Sequence, residues 1–585
     1  MVDIFAFSPT TVLLCVAVLV LLWLLTRRPS GLPPGPPLLP FLGNVLSMSS
    51  DPRITFRRLR QRYGDIFSVY LFNKPLIVLN GYSTLKEAIV KNADVFSERP
   101  HTTLNDFIAR GKGVVATSGE LWREQRRFAL NTLREFGAGR NIMEDKIHEE
   151  ISQFIEAFEA EGGQGFDCKR LVCNAVSNVI CSTVFGKRFE YTDPLFYYIF
   201  KSHGRKCCQC CILEDKIHEE ISQFIEAFEA EGGQGFDCKR LVCNAVSNVI
   251  CSTVFGKRFE YTDPLFITFL KAMDENVANV GAAGVLNVLP IVRFLPGDLF
   301  KFKKTMQNVE KIESLLIDPM TEEHLKNHDD DNVDDFIHAY IKEMRLRKAK
   351  QEDTTLDYDI FENCVSAYSG RKASVGPCFS ENLKKVIADL FVAGTETTAT
   401  TIRWTMIYLL NNPEIQERCF REIQENIGQS RLPSMKDKTS LPYMEATIME
   451  VLRRADIAPT ALPHTVPHDV QFRGYTFPKG VQVIAMLDSV LQDPDVWGDP
   501  DNFRPDRFLD ASGKIVKKDE FIPFSLGRRV CLGEAMARME LFLFLTTMIQ
   551  RFKFIPVDGQ MPSLDGTMGI TNSPRPFVMK AIPRV

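Results

Sequence analysis

The chain has 585 residues, 45% of them hydrophobic and 25% charged, with a formal net charge of −4. That length suits a large single-core enzyme, and near-balanced charge without a basic tract argues against a nucleic-acid partner. The 15 cysteines are irregularly spaced in a long chain. They do not make a disulfide framework and fit a reducing, cytosol-facing compartment.

From Ile4 to Leu25 the chain is almost wholly apolar, and Arg27 and Arg28 follow. A run of about 22 residues is enough to span a bilayer. Positive charge stays on the cytoplasmic side, so the N-terminus is expected in the lumen and the body in the cytosol. The expected organisation is a transmembrane anchor over 1–26, a Pro-rich hinge over 27–40 and one body over 41–585. A cleaved signal peptide is the alternative. Its apolar core would be shorter and its basic charge would come first. Pro29 to Pro37 is too rich in proline to be helical and reads as a stiff spacer.

The body reads as mainly helical with a small β part. Amphipathic periodicity predicts helices over 53–62, 84–92, 120–136, 145–161, 381–411, 413–428, 444–454 and 534–552. Alternation predicts strands over 67–71, 75–79, 470–472 and 481–486. Residues 144–196 recur unchanged at 214–266. Two undiverged copies do not make a solenoid. The span 197–266 therefore reads as a suspected extra copy, expected to lower stability by exposing an apolar face. The joining stretch carries Cys207-Cys208-Gln209-Cys210-Cys211. A structural zinc site wants four ligands in paired spacing, and no C-x-x-C pair lies elsewhere in the chain, although the other cysteines could supply ligands. A second suspected insertion covers 364–382, where Glu362-Asn363 reappears as Glu381-Asn382.

Ala393-Gly394-Thr395-Glu396-Thr397-Thr398 lies inside the predicted helix 381–411. Gly and Thr are poor helix-interior residues, which predicts a local distortion. The Thr397 hydroxyl is placed to bond back to the Ala393 carbonyl. Further on, Glu450 and Arg453 stand at i, i+3 on one helical face.

The last motif is Phe524-Ser-Leu-Gly527-Arg-Arg529-Val-Cys531-Leu-Gly533. Gly527 permits a tight turn with positive φ, and Gly533 permits close approach of backbone to a flat macrocycle. Arg529 suits a carboxylate such as a haem propionate. A helix beginning near Leu532 would favour the Cys531 thiolate. A single thiolate in such a loop suits a haem iron, and a thiolate ligand favours O–O cleavage. A buried structural cysteine is the competing reading.

At these residues the chain resembles the cytochrome P450 superfamily, whose haem loop has the form F-x-x-G-x-R-x-C-x-G. It is most similar to the microsomal family 2 enzymes, with their apolar anchor and Pro-rich hinge. The resemblance implies the haem-thiolate fold and a haem b (iron protoporphyrin IX) cofactor, with Cys531 as the axial ligand of the iron. Ala393 to Thr398 resembles the family's oxygen-activation sequence, which implies that Glu396 and Thr397 manage protons. Trp122-Arg-Glu-Gln-Arg126 resembles its W-x-x-x-R helix, which implies that Trp122 and Arg126 hold propionates. Arg99 and His464 are implied as further propionate partners. Glu450, Arg453 and Arg507 are implied as a structural cluster that seats the cysteine loop.

The implied activity is a monooxygenase that inserts one atom of O2 into a lipophilic small molecule. Electrons would come from a separate NADPH-cytochrome P450 reductase, since the chain has no Gly-rich dinucleotide fingerprint. The implied setting is the endoplasmic reticulum membrane, with membrane lipid as a contact. Three alternatives remain: a haem-thiolate isomerase or dehydratase, which would lack the acid–Thr pair; a haem sensor or carrier; and a non-functional product of a monooxygenase gene.

Overall fold

The computed structural model describes residues 26, 28–49, 51–136, 212–231, 235–327, 333, 335–350 and 381–584. The body starts with local signals that act as expected. Asp51 caps helix Pro52–Tyr63 by accepting from Arg53 N, and Gly64 ends it with φ 85°. Two strands follow, β1 (Ile66–Leu71) and β2 (Lys74–Leu79), whose buried residues include Phe67, Val69, Ile77 and Val78. The Pro-rich segment docks on β1. Ser68 Oγ donates to Pro33 O at 2.7 Å, and Arg28 Nη1 donates to Ser68 Oγ at 2.6 Å. A Cβ at Gly35 would stand 1.9 Å from the Ser68 carbonyl oxygen, so only glycine permits this contact.

The sheet is completed from far along the chain. Strand β3 (His464–Thr465) and the hairpin β4 (Val470–Phe472)–β5 (Tyr475–Phe477) precede β6 (Gln482–Ala485). The order is β1-β2-β6-β3, with β2 and β6 parallel and the other neighbours antiparallel. Two more strand pairs close the C-terminal part: β7 (Phe552–Pro556) pairs with β10 (Met579–Pro583), and β8 (Gly566–Met568) pairs with β9 (Asn572–Pro574).

The main core is helical. The central helix Glu381–Asn411 buries almost every residue from Thr398 to Leu410. That all-round burial marks a helix surrounded by others. It packs against helices Lys239–Phe255, Pro442–Ala455 and Glu534–Arg551. Trp404 Nε1 donates to Asn572 O at 2.7 Å and ties it to β9.

The repeat enters this core through its second copy. Helix Gly119–Glu135 ends at Phe136, and the Phe136 carbonyl accepts from Leu213 N at 3.1 Å. Helices Ile212–Glu229 and Lys239–Phe255 then pack inside, with Ile217, Ile221, Phe224, Val246 and Val249 buried. The first copy, the Cys207–Cys211 cluster, the predicted helix 145–161 and nearly all of the suspected insertion 364–382 lie outside the described residues. So does the expected anchor apart from Thr26. Among the described residues no helix is long and apolar enough to cross a membrane.

Several elements were not read from periodicity. Helices Pro264–Ala283, Phe302–Ile312, Asp318–Lys326 and Phe336–Ala349 are present. The predicted helix 84–92 divides into Tyr82–Leu85 and a π-helical turn Lys86–Lys91.

Candidate active site around Cys531

The loop before helix Glu534–Arg551 is held by its backbone. Cys531 N donates to Phe524 O at 3.0 Å, and Gly527 adopts φ 70°. A Cβ at Gly527 would lie 2.3 Å from the Ile89 carbonyl oxygen, so this glycine is needed for both its conformation and its neighbour. Gly533 differs: its φ is −91° and it caps the helix, with no atom within 4 Å of the space a Cβ would fill. The Phe524 ring lies 4.9 Å from the guanidinium of Arg538. Among the described cysteines Cys531 alone is exposed; Cys238, Cys251 and Cys419 are buried and Cys243 is half-buried.

The helix was expected to begin near Leu532 and to favour thiolate. It begins at Glu534. The Cys531 thiol is instead pushed up, chiefly by desolvation and also by Glu534, while the Gly533 N–H and Arg126 pull it down. The chain alone does not make this cysteine a thiolate. A coordinated metal would, because metal binding removes the thiol proton outright.

Cationic side chains converge around this loop. Arg529 donates from Nε to Ser97 O at 2.8 Å and from Nη2 to Thr117 O at 2.7 Å. Its guanidinium lies 3.7 Å from the ring centroid of Trp122, a close cation–π contact. Arg126 donates to Val530 O at 2.5 Å. Arg99 donates to Leu462 O at 2.7 Å and Pro463 O at 2.9 Å, and His464 Nδ1 contacts Phe96 O at 2.6 Å.

These groups weaken one another's basicity. Burial and the field of Arg126 bring Arg99 down to about 10. Burial, Arg99 and Arg126 bring Arg529 to about 9, with Glu98 offsetting part of this. Burial lowers Arg126 as well. His464 falls to about 3 through burial and the charges of Arg99 and Arg529, so it is neutral at pH 7. Among the described residues no carboxylate pairs with Arg99, Arg126 or Arg529. Three guanidiniums, that of Arg529 buried and those of Arg99 and Arg126 half-buried, are held by carbonyls and lack an anion, which matches a ligand that brings carboxylates beside a thiol. The residues present therefore fit a haem with its two propionates.

On the central helix, Thr397 Oγ1 donates to Ala393 O at 2.7 Å. The expected distortion is absent: α-helix runs unbroken through 393–398. Gly394 has another use. A Cβ there would stand 2.7 Å from Ile250 Cδ1, so the glycine admits helix Lys239–Phe255. Ser247 of that helix donates to Thr395 at 3.4 Å. The second copy of the repeat thus forms part of the wall behind Glu396 and Thr397. Glu396 Oε1 accepts from Thr571 at 3.0 Å, Thr400 at 3.2 Å and Ser573 at 3.3 Å.

Glu450, Arg453 and Arg507 come together in full burial. Arg453 makes two bonds to Glu450 at 2.8 and 2.9 Å, and Arg507 Nε adds a third at 3.0 Å. Arg504 N also donates to Glu450. The remaining guanidinium protons reach the carbonyls of Leu491, Pro500, Trp497, Asp499 and Asn502.

Two buried acids were missed. Asp389, one turn before Ala393, accepts from Val114 N at 2.7 Å and Val115 N at 3.0 Å, clamping that loop to the central helix. Burial pushes its carboxyl up to about 6. Glu540 of helix Glu534–Arg551 is fully buried and rises to about 8. Each was visible in sequence only as a lone acid in an apolar helical stripe.

A helical body with a small sheet, a cysteine loop before a long helix and a cationic cradle define a haem-binding class. The cytochrome P450 family pattern matches residues 33–205 and 209–581. The chain is 35% identical to cytochrome P450 2J1 of Oryctolagus cuniculus, covering 96% of this chain and 93% of the relative. It is 32% identical to human cytochrome P450 2U1 (97% and 93% covered) and 33% identical to human cytochrome P450 2C8 (97% and 98%). The chain belongs to the cytochrome P450 family and is a haem monooxygenase.

Proposed function

We propose that this enzyme uses reductase-delivered electrons from NADPH to insert one oxygen atom of O2 into a lipophilic substrate. The exposed Cys531 thiol beside three unbalanced guanidiniums carries the reading. Bound haem supplies dioxygen activation. Cys531 Sγ is the iron ligand, while Arg99, Arg126, Arg529, Trp122 and His464 hold the propionates. Phe524, Gly527 and Gly533 shape the loop. Thr397 presents its hydroxyl one turn above Ala393, and the three hydroxyls on Glu396 hold its carboxylate in place as a proton carrier. The basic face around Arg528 and Arg123 suits an acidic reductase, although Arg528 also pairs with Asp94 and Arg123 with Glu120.

The microsomal relatives support an endoplasmic reticulum location, with 1–26 as anchor, 27–40 as hinge and the body cytosolic. Residues 144–196 and 214–266 are proposed to be alternative fillings of one place in the body, with 364–382 an insertion. Because the copies are identical, removing 197–266 or 144–213 gives the same chain.

The ferrous–CO spectrum tests the ligand: a strongly red-shifted Soret band is expected, and its loss in Cys531→Ser. The absence of the band in the parent protein overturns the reading. With reductase, Thr397→Ala is expected to consume NADPH while forming several-fold less product. Turnover without NADPH would establish the isomerase or dehydratase alternative.

A further inference from the structure

A second cluster of ligating side chains lies apart from the cysteine loop, at the junction of helices Asp318–Lys326 and Phe336–Ala349. His324 Nε2 and His338 Nδ1 both meet Asp335 Oδ2, at 2.9 and 2.8 Å. All three ligand atoms lie within 4.8 Å of one another. The other groups around them are committed. Asp335 Oδ1 accepts from His338 N at 2.9 Å, which fixes the carboxylate. A Cβ on Gly256 would lie 2.8 Å from Asp335 Oδ2, so the end of helix Lys239–Phe255 closes one side.

The tautomer is the telling point. His324 Nδ1 lies 2.6 Å from the Met320 carbonyl, an oxygen that can only accept, so Nδ1 carries a proton. A neutral imidazole then has only a lone pair on Nε2, and that lone pair faces a carboxylate oxygen. Two acceptors at 2.9 Å require a cation between them. That cation is either a second proton or a metal ion. A histidine whose far nitrogen donates to a backbone carbonyl is oriented as metal-ligating histidines are. Two imidazoles and one carboxylate suit a first-row divalent ion of the zinc type, with water as a fourth ligand. His338 keeps 15% of its side chain accessible while Asp335 keeps 2%, which leaves one route for such an ion to reach the cluster.

We propose that His324, Asp335 and His338 form a zinc-class divalent metal site that fastens the two helices together, independent of the haem chemistry. The test uses the haem-loaded full-length protein, stripped with chelator and dialysed against buffered zinc. Elemental analysis reads zinc per haem. One saturable zinc above background is expected at pH 7.5, with at least tenfold weaker binding in His338→Asn and no change in His468→Asn, a control at an exposed histidine. His338→Asn keeps the His324–Asp335 pair, and an unaltered ferrous–CO amplitude would show that it folds. Zinc is also expected to raise the melting temperature of the parent but not of His338→Asn. No saturable zinc in the parent, or equal binding in His338→Asn, overturns the proposal and leaves a proton as the cation of the cluster.

Discussion

Two sets of buried or half-buried arginines in this molecule meet opposite electrostatic circumstances. Around Glu450, the carboxylate and a ring of carbonyls meet the guanidiniums of Arg453 and Arg507 within the protein itself. Around Cys531, Arg99, Arg126 and Arg529 have carbonyl partners and no anion among the described residues, and their basicity falls, chiefly by desolvation and, for Arg99 and Arg529, also through neighbouring arginines. The first set is finished by folding. The second has no anion among the described residues, as the proposed propionate cradle requires. On the proposed reading, charge balance is what separates a structural cluster from a binding cluster.

Breaking the finished cluster is expected to have the largest effect. Glu450→Ala strands two buried guanidiniums and should cost about 3–5 kcal/mol of stability. Loss of folded protein, read by thermal melting and by the yield of haem-loaded enzyme, checks it; a melt within a degree of the parent would refute it.

Arg126→Leu should act in the other direction on the apoprotein, because it removes an unbalanced charge. Apoprotein stability is expected to hold or rise, while haem affinity falls by about 1.5–3 kcal/mol, or roughly ten- to a hundredfold. The rate of haem transfer to an acceptor protein measures this. An apoprotein destabilised as much as by Glu450→Ala would erase the distinction between the clusters.

Glu540 shows a third way to bury an ionisable group, by keeping it neutral. Its carboxyl in the folded state titrates near 8, raised mainly by desolvation, against an ordinary value of 4.5. Between these values the folded state holds a proton that the unfolded state has lost, so this contribution to stability is lost as pH rises from about 4.5 through 8. Glu540→Gln should be nearly neutral at pH 5 and should flatten the decline of melting temperature between pH 5.5 and 8. An unchanged slope would mean that Glu540 is not protonated in the folded enzyme.

The sequence showed what local pattern and motif spacing control. The central helix was legible from 381 to 411, and the Thr397–Ala393 bond followed from a hydroxyl four residues along a helix. Cys531 and its flanking residues formed one contiguous signal. The role of Gly394 was not legible, because Ile250 reaches it from a separate helix and periodicity carries no information on which helices cross. Asp389 clamps backbone 275 positions away, and His324 meets Asp335 only after two helices are arranged. Periodicity placed the start of the last helix at 534, where it lies, while the cysteine motif placed it near 532; the desolvation that chiefly raises the Cys531 thiol was not visible in either pattern.

The hydrogen bond from Leu213 to Phe136 joins residues on either side of a long detour of chain. Closing so long a loop in place of a short one costs only about 2 kcal/mol, because the penalty grows with the logarithm of length. A core that uses 214–266 could use 144–196 for the contacts inside that segment, whereas helix Pro264–Ala283 and the Leu213–Phe136 bond run across its two ends and would be rebuilt from other residues. On the proposed reading of the two copies as alternative fillings of one place, the chain has two routes through one architecture, and exchange between them requires withdrawing a buried helical pair. Refolding should partition between these routes, and the two products would share the same core while differing in the bonds that a protease can reach.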